Sequence, residues 1–416
     1  MTHFQAVFEL TNKLLGTQGD AALIDFTGFK SQLNVCTGYL RIVRELFGAP
    51  VPSAPVDAAV EVMGGMWTLT YSLEYAPQVI GYALARLLRA NAVTAFMTAR
   101  LFNLIFYVAC VYWAIRLAPR FKVTLGLAAL VPMALQQAAS LSYDNFINAL
   151  SLVLIASLLR AIFSEGAITP GELFPIFLSG ALLAPAKGVY SFFIILFLFI
   201  PRARFQGRVK RWGCFALLLG LCAAVFAIVS VPSLIRIMSS TPPSFGAEGG
   251  TQYTLSFFFT NPGDALGIFS DSFNLYFSTW LTQAVGSSLS TCNLDLPSWL
   301  VPVYLALLAL SAQAQADDAA PLPRGMRAAL CGIIFAVILA FMMTMFLTWI
   351  RATDKIIIGV QGRYFTPLLA LGAIALNNRV LTLKRDIGAQ LSLIAILLIA
   401  RSVLAIVDYT LFSVLA

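Results

Sequence analysis

Charge is scarce in this chain. Asp, Glu, Lys and Arg make up 11% of its 416 residues, against about 25% in an ordinary soluble domain. Apolar residues reach 59%, so there is too little polar surface to coat a water-soluble core of this length. Single-core globular, disordered and collagen-like classes are therefore excluded. The sequence holds one histidine and six cysteines. Cys36, Cys110, Cys214, Cys222, Cys292 and Cys331 form no CxxC pair and no Cys/His spacing, so neither a metal centre nor a disulfide scaffold is indicated. Cys36 and Cys292 both fall in regions read below as outward and are candidates for pairing in an oxidising compartment, with chance placement as the alternative. No internal repeat is visible, which weakens a transporter built from inverted repeats. Basic residues outnumber acidic ones, 27 to 19. No basic tract exists beyond Arg202 to Arg211, so the excess points to membrane topology and to no nucleic-acid partner.

What the chain has in quantity is long apolar segments. A helix needs about 20 apolar residues to cross a bilayer. On that measure the sequence reads as an all-α polytopic membrane protein of about ten transmembrane helices, with interfacial helices in outer loops. The expected spans are 98–117, 122–139, 144–163, 172–185, 189–200, 212–232, 297–312, 326–349, 362–377 and 388–410. The fourth and fifth are short, and Pro185 and Gly188 break the chain between them into a tight hairpin within the protein. Lys and Arg gather in one set of connections: Arg116, Arg120, Lys122, Arg160, Arg202 to Arg211, Arg324, Arg327, Arg379, Lys384 and Arg385. The other set is poorer, with Arg89, Arg100, Lys187, Arg351, Lys355 and Arg363. The richer set is therefore cytoplasmic, and the loops bearing Asp144, Lys187 and Gln361 to Tyr364 all face outward.

Two parts follow. Residues 1–97 form an extracytoplasmic N-terminal segment, in which Tyr75 to Leu88 is expected to lie on the outer interface rather than cross. Residues 98–416 form the transmembrane domain, with a large outer loop at 233–296. No span precedes residues 1–97 to carry them across, so an upstream helix is expected.

Four polar groups stand out. In Ser140-Leu-Ser-Tyr-Asp144, the acid opens a span, where it either caps free N–H groups or orients a polar ligand or divalent cation. In Ala184-Pro-Ala-Lys187-Gly188, the lone lysine either snorkels to the interface or meets an anion such as phosphate. In Gln361-Gly-Arg363-Tyr364-Phe, the guanidinium can fork onto a phosphate and the ring can stack on a sugar; interfacial anchoring is the alternative. His3, near Glu9, reads alone as a solvated residue.

Taken together, HFQAVFEL, SxSYD at a span end, APAKxxY and QGRYFxPL resemble a bacterial membrane-protein family known as domain of unknown function 2142. The resemblance runs over essentially the whole chain, and QGRYF is its most specific part. The layout is similar to glycosyltransferases of the GT-C superfamily. The resemblance implies a plasma-membrane enzyme that takes a sugar from a polyprenyl-phosphate carrier and passes it to an extracytoplasmic glycan or lipid acceptor. Carried over by position, His3 and Asp144 become catalytic candidates, while Lys187, Gln361, Arg363 and Tyr364 become substrate- or phosphate-binding ones. In that family His3 follows an Asp-Glu pair, which this sequence does not include. The expected general base is therefore missing, and the chain is expected to be a truncated, inactive form. The alternatives are a transporter or flippase of lipid-linked glycans and a non-catalytic component of polysaccharide assembly. No resident cofactor is specified; a divalent cation at Asp144 is the one option the residues leave open.

Overall fold

The computed structural model describes residues 2–16, 73–90, 92–206, 210–232, 252–289, 294–313, 321–378 and 387–412. The expected Cys36–Cys292 pairing and most of the 1–97 segment lie outside the described residues. Within them the protein is all-α, apart from a two-residue hairpin in which Ser288–Leu289 pairs antiparallel with Leu294–Asp295.

Among the described residues five helices are long and apolar enough to cross a membrane. They are α3 (Ala92–Leu117), α6 (Asp144–Phe163), α8 (Arg211–Val229), α12 (Arg324–Thr348) and α14 (Gly388–Phe412). Each matches an expected span. They differ in what they touch. Every residue of α6 except Arg160 and Phe163 is buried, as an all-round apolar helix requires. On α8 only Leu218 and Cys222 are buried, which leaves the rest of its apolar surface for lipid.

The remaining expected spans are broken or short. Residues 122–139 divide into α4 (Lys122–Ala129) and α5 (Pro132–Ala138), because Val131 turns extended before Pro132. The 172–185 stretch is α7 (Pro170–Ala186). The 297–312 stretch is α11 (Leu300–Gln313), and 362–377 splits into a 3-10 turn, Gly362–Phe365, and α13 (Leu368–Ala375). Residues Gly188–Phe199 wind as a 3-10 helix of 12 residues. At a rise of about 2.0 Å per residue this reaches roughly 24 Å, where an α-helix would reach about 18 Å. A 3-10 helix repeats every three residues, and burial follows that period. Tyr190, Phe193 and Leu196 form one buried stripe and Ile194, Phe197 and Ile200 the next, while Phe192 and Ile195 stay exposed.

One long helix was not anticipated. α10 (Pro262–Val285) runs for 24 residues inside the region expected as an outer loop. Asp264, Asp271 and several Ser and Asn residues dilute its hydropathy, and a stripe of Ala265, Ile268, Ser272, Trp280 and Ala284 buries it.

Two ion clusters mark the ends of α6. At its C-terminal end Arg204 is buried; it forks onto Glu172 at 2.9 and 3.0 Å and donates to the carbonyls of Ala161 and Gly166. Glu172 also closes a capping box with Thr169. At the N-terminal end stands Asp144. The two are separated by about 24 Å of almost uncharged helix, a depth close to the hydrocarbon thickness of a bilayer. Beside Asp144 pack α1 (Thr2–Leu15) and α2 (Ala76–Leu87). α2 lies flush on α3 because Gly81 leaves no Cβ; one there would stand 2.8 Å from both Phe102 and the Thr98 carbonyl. Its opposite face exposes Ile80, Leu84, Leu87 and Leu88, as an interfacial helix does.

Candidate functional site

The charged residues at the Asp144 end meet one another. Asp144 is the first residue of α6, but neither it nor Tyr143 caps the helix through its side chain. Its carboxylate turns instead to two cations. Lys187 Nζ lies 2.6 Å from Oδ1, and Arg363 Nε lies 3.5 Å from Oδ2. The Asp144 side chain is 6% exposed and that of Lys187 11%, so the lysine is buried rather than snorkelling. Arg363 is the most exposed of the three, at 30%.

Each cation reaches the acid for a local reason. Helix α7 runs through Pro185 and ends at Lys187, whose extended backbone hands over to the 3-10 helix and turns the side chain towards α6. The ammonium then sits over the Tyr364 ring at 3.9 Å and the Tyr143 ring at 5.1 Å, where aromatic faces favour a cation. Tyr190 donates to the Tyr364 carbonyl at 2.6 Å, and Tyr364 stacks on Phe341.

The Gln361–Tyr364 segment is held from α10. Trp280 Nε1 donates to the Val360 carbonyl at 3.1 Å, Gln283 Oε1 accepts from Gly362 N at 3.1 Å, and Thr366 Oγ1 donates to the Ala284 carbonyl. Here glycine is required by contact: a Cβ at 362 would meet the Cβ of Gln283 and stand 2.5 Å from the Trp280 carbonyl oxygen. Gly362→Ala is expected to push this segment off α10. Overpacking of that kind costs about 1–3 kcal/mol, readable as a lower thermal midpoint in detergent; an unchanged midpoint would show that the contact is not required.

His3 is half-buried rather than freely solvated. Its Nδ1 is 2.7 Å from the Tyr75 hydroxyl, and its ring meets Tyr143 edge-on at 5.5 Å. Burial, with Arg363 and Lys187 nearby, lowers its pKa to about 4, against the pull of Asp144. The imidazole is therefore neutral at pH 7. Gln361 does not join the group: it is exposed, and its side chain makes no hydrogen bond to a described residue. Among the described residues no group of three His, Cys, Asp or Glu could hold a metal ion. Asp144, occupied by two cations, offers little to a divalent ion.

One residue escaped the sequence reading. Glu74, just ahead of α2, is completely buried, and among the described residues its carboxyl has no side-chain hydrogen-bond partner, only the backbone N–H groups of Leu73 and Glu74 close by. Burial raises its pKa to about 7, while nearby backbone N–H groups and the charge of Lys187 pull the other way. The available signal was an acid placed immediately before an apolar stretch, which reads as an ordinary flanking charge. Gln78, one turn further on, donates from Nε2 to the Ser142 carbonyl at 3.3 Å and so ties α2 to the Asp144 turn.

Beyond Phe365 an apolar groove of about 400 Å³ opens among α10, α11, α12 and α13, with Trp280, Leu308, Ile338 and Leu369 in its wall. It extends to Leu376 at the far end of α13.

A family model described as "Predicted membrane protein (DUF2142)" matches residues 51–372. The matched stretch takes in Glu74, Asp144, Lys187 and Arg363 and leaves His3 outside. No curated protein and no solved structure matches the chain.

Proposed function

The chain belongs to the DUF2142 family of membrane proteins, and we propose that it transfers a sugar from a polyprenyl-phosphate carrier to a hydroxyl of a glycan or lipid acceptor. The observation that carries this reading is the meeting of Lys187 and Arg363 on the single carboxylate of Asp144. Two cations on one buried acid leave a surplus positive charge where water is largely excluded, and the Arg363 side chain is 30% exposed. Such a site suits a phosphate. The apolar groove that begins at Phe365, two residues along from Arg363, suits the hydrocarbon chain of the same ligand.

In this reading Asp144 is not the base. Its role is to hold the two cations in place before the ligand arrives. Lys187 and Arg363 then stabilise the negative charge that gathers on the phosphate as the sugar leaves, an electrostatic contribution that needs no reorganisation. Tyr364 steers Lys187, and His3, neutral and fixed on Tyr75, closes the side towards α1. We place the site at the outer face of a bacterial plasma membrane, because basic residues are denser in the opposite connections. A path for transport finds less support. Below Asp144 the buried polar side chains of α6 end at Ser151, except for Ser157, which donates to its own helix at Val153.

Farnesyl phosphate binding to the detergent-solubilised protein tests the phosphate assignment. Wild-type protein is expected to bind it, and farnesol not. Arg363→Gln is expected to weaken binding about tenfold, the loss of one charged contact worth about 1.4 kcal/mol. Equal binding of farnesol, or of farnesyl phosphate by the variant, would remove Arg363 from the proposed role. Transfer from farnesyl-phosphoryl hexoses to an added glycoside tests the reaction itself.

A further inference from the structure

Helix α14 packs on α4 and α11, with Leu391, Ala395 and Leu398 buried along its first half. Beyond them a groove of about 320 Å³ separates α14 from α5. Leu135, Gln136 and Ala139 line it from the α5 side, and Ile399, Ser402 and Ile406 from α14. Arg100 of α3 and Ser140 complete it at the end of the bundle that holds Asp144. Since α14 is one of the apolar spans, the groove opens towards lipid.

The two hydroxyls in its wall are engaged. Ser402 Oγ donates to the Leu398 carbonyl at 2.8 Å and Ser140 Oγ to the Gln137 carbonyl at 2.9 Å. Gln136 differs: it is half-buried on this wall, and its side-chain amide makes no hydrogen bond to a described residue. Arg100 supplies charge. Its Nε donates to the Ala139 carbonyl at 2.6 Å, which fixes the guanidinium at the end of the groove. No described acid lines the groove. Hydrocarbon alone would leave the cation and the amide in an apolar medium, which is costly for both. An amphiphile with an anionic head meets both needs.

The spacing of the two groups selects among such amphiphiles. Gln136 lies three residues before Ala139, so its amide sits about 4.5 Å deeper along the axis than the anchor of the guanidinium. An isoprenoid phosphate has only hydrocarbon at that depth and would leave the amide unmet. A glycerophospholipid carries its ester carbonyls there. One guanidinium also balances the single charge of a phosphodiester. We propose that the groove between α5 and α14 binds one glycerophospholipid with an anionic headgroup, its phosphate on Arg100 and an ester carbonyl accepting from Gln136 Nε2. The acyl chains continue over Ile396, which is exposed one turn deeper than Ile399 on the same face of α14. This site does not depend on the transfer reading given above.

Native mass spectrometry of the full chain, released from detergent, counts the lipid it retains. Dioleoyl phosphatidylglycerol is the probe, and its diether analogue, dioleoylglycerol and farnesyl phosphate are the comparisons. Wild type is expected to retain one phosphatidylglycerol, to hold the diether analogue about fivefold more weakly, and not to hold dioleoylglycerol. Arg100→Gln is expected to weaken phosphatidylglycerol binding about tenfold, the loss of one charged contact. Gln136→Leu leaves every bond named above intact, so it tests the site even where Arg100→Gln fails to fold. It is expected to bind phosphatidylglycerol about fivefold more weakly and to treat ester and diether lipids alike. Unchanged retention in either folded variant would mean that lipid merely coats α14, and it would overturn the site. Displacement of phosphatidylglycerol by farnesyl phosphate would give the groove to an isoprenoid phosphate and overturn the phospholipid assignment.

Discussion

Lys187→Met is expected to destabilise the protein by about 3–5 kcal/mol, the usual cost of removing one partner from a buried ion pair. The argument starts from Asp144, whose side chain is 6% exposed. Its two oxygens are served by Lys187 at 2.6 Å and Arg363 at 3.5 Å. Among the described residues Arg363 Nε makes no hydrogen bond, so the direct bond to Asp144 is lost when Lys187 goes. A carboxylate left in that position keeps its desolvation cost and one loose partner. Methionine preserves the bulk over Tyr364, so packing contributes little to the loss. The double variant Asp144→Asn with Lys187→Met removes both charges and is expected to recover most of the stability. Thermal denaturation in detergent across the four proteins of this cycle measures the coupling. A single variant as stable as wild type would mean that the lysine reaches solvent and that the pair is incidental. Farnesyl phosphate binding should fail in the double variant even though its fold is restored, which separates the structural role of the pair from its role in binding.

The residues of this cluster were legible from sequence because they are lone charges in a chain that has few. Asp144, Lys187 and Arg363 each sit at an end of an apolar segment, and counting Lys and Arg in the connections placed all three at one end before any contact was known. Sequence could not tell pairing from capping or snorkelling, since that depends on which way the side chains turn. Gln361 looked as apt as Arg363 and points to solvent; the adjoining Gly362 lies against α10, a helix that hydropathy did not reveal. The five long spans were plain from composition. The 3-10 winding of Gly188–Phe199 was not, because an apolar run without polar punctuation shows no period. Glu74 was missed for the opposite reason to Gln361. Nothing in its sequence neighbours distinguishes a flanking surface acid from a completely buried one, and only burial makes the difference.

That burial has a consequence for stability. An ordinary glutamate ionises near 4.5, whereas Glu74 in the folded protein holds its proton up to about 7. Between these values the unfolded chain has released a proton that the native protein retains, so stability falls as pH rises. The loss grows from about pH 4.5 and is complete above about pH 7. At 1.36 kcal/mol per pH unit of displacement it amounts to about 3 kcal/mol. His3 acts in the other direction. Its pKa is lowered from 6.5 to about 4, so between those values the unfolded chain binds the extra proton and stability rises with pH. In wild type the two slopes largely cancel below pH 6.5. Glu74→Gln removes one of them. Its stability is expected to climb with pH from about 4 to 6.5 and then stay level, and at pH 8 it should exceed wild type by up to about 3 kcal/mol. His3→Gln should show the reverse, a decline from about pH 4.5 to 7. Denaturation midpoints of the three proteins between pH 4 and 8 test this directly. A gap between wild type and Glu74→Gln that does not widen with pH would place the Glu74 carboxyl in contact with water.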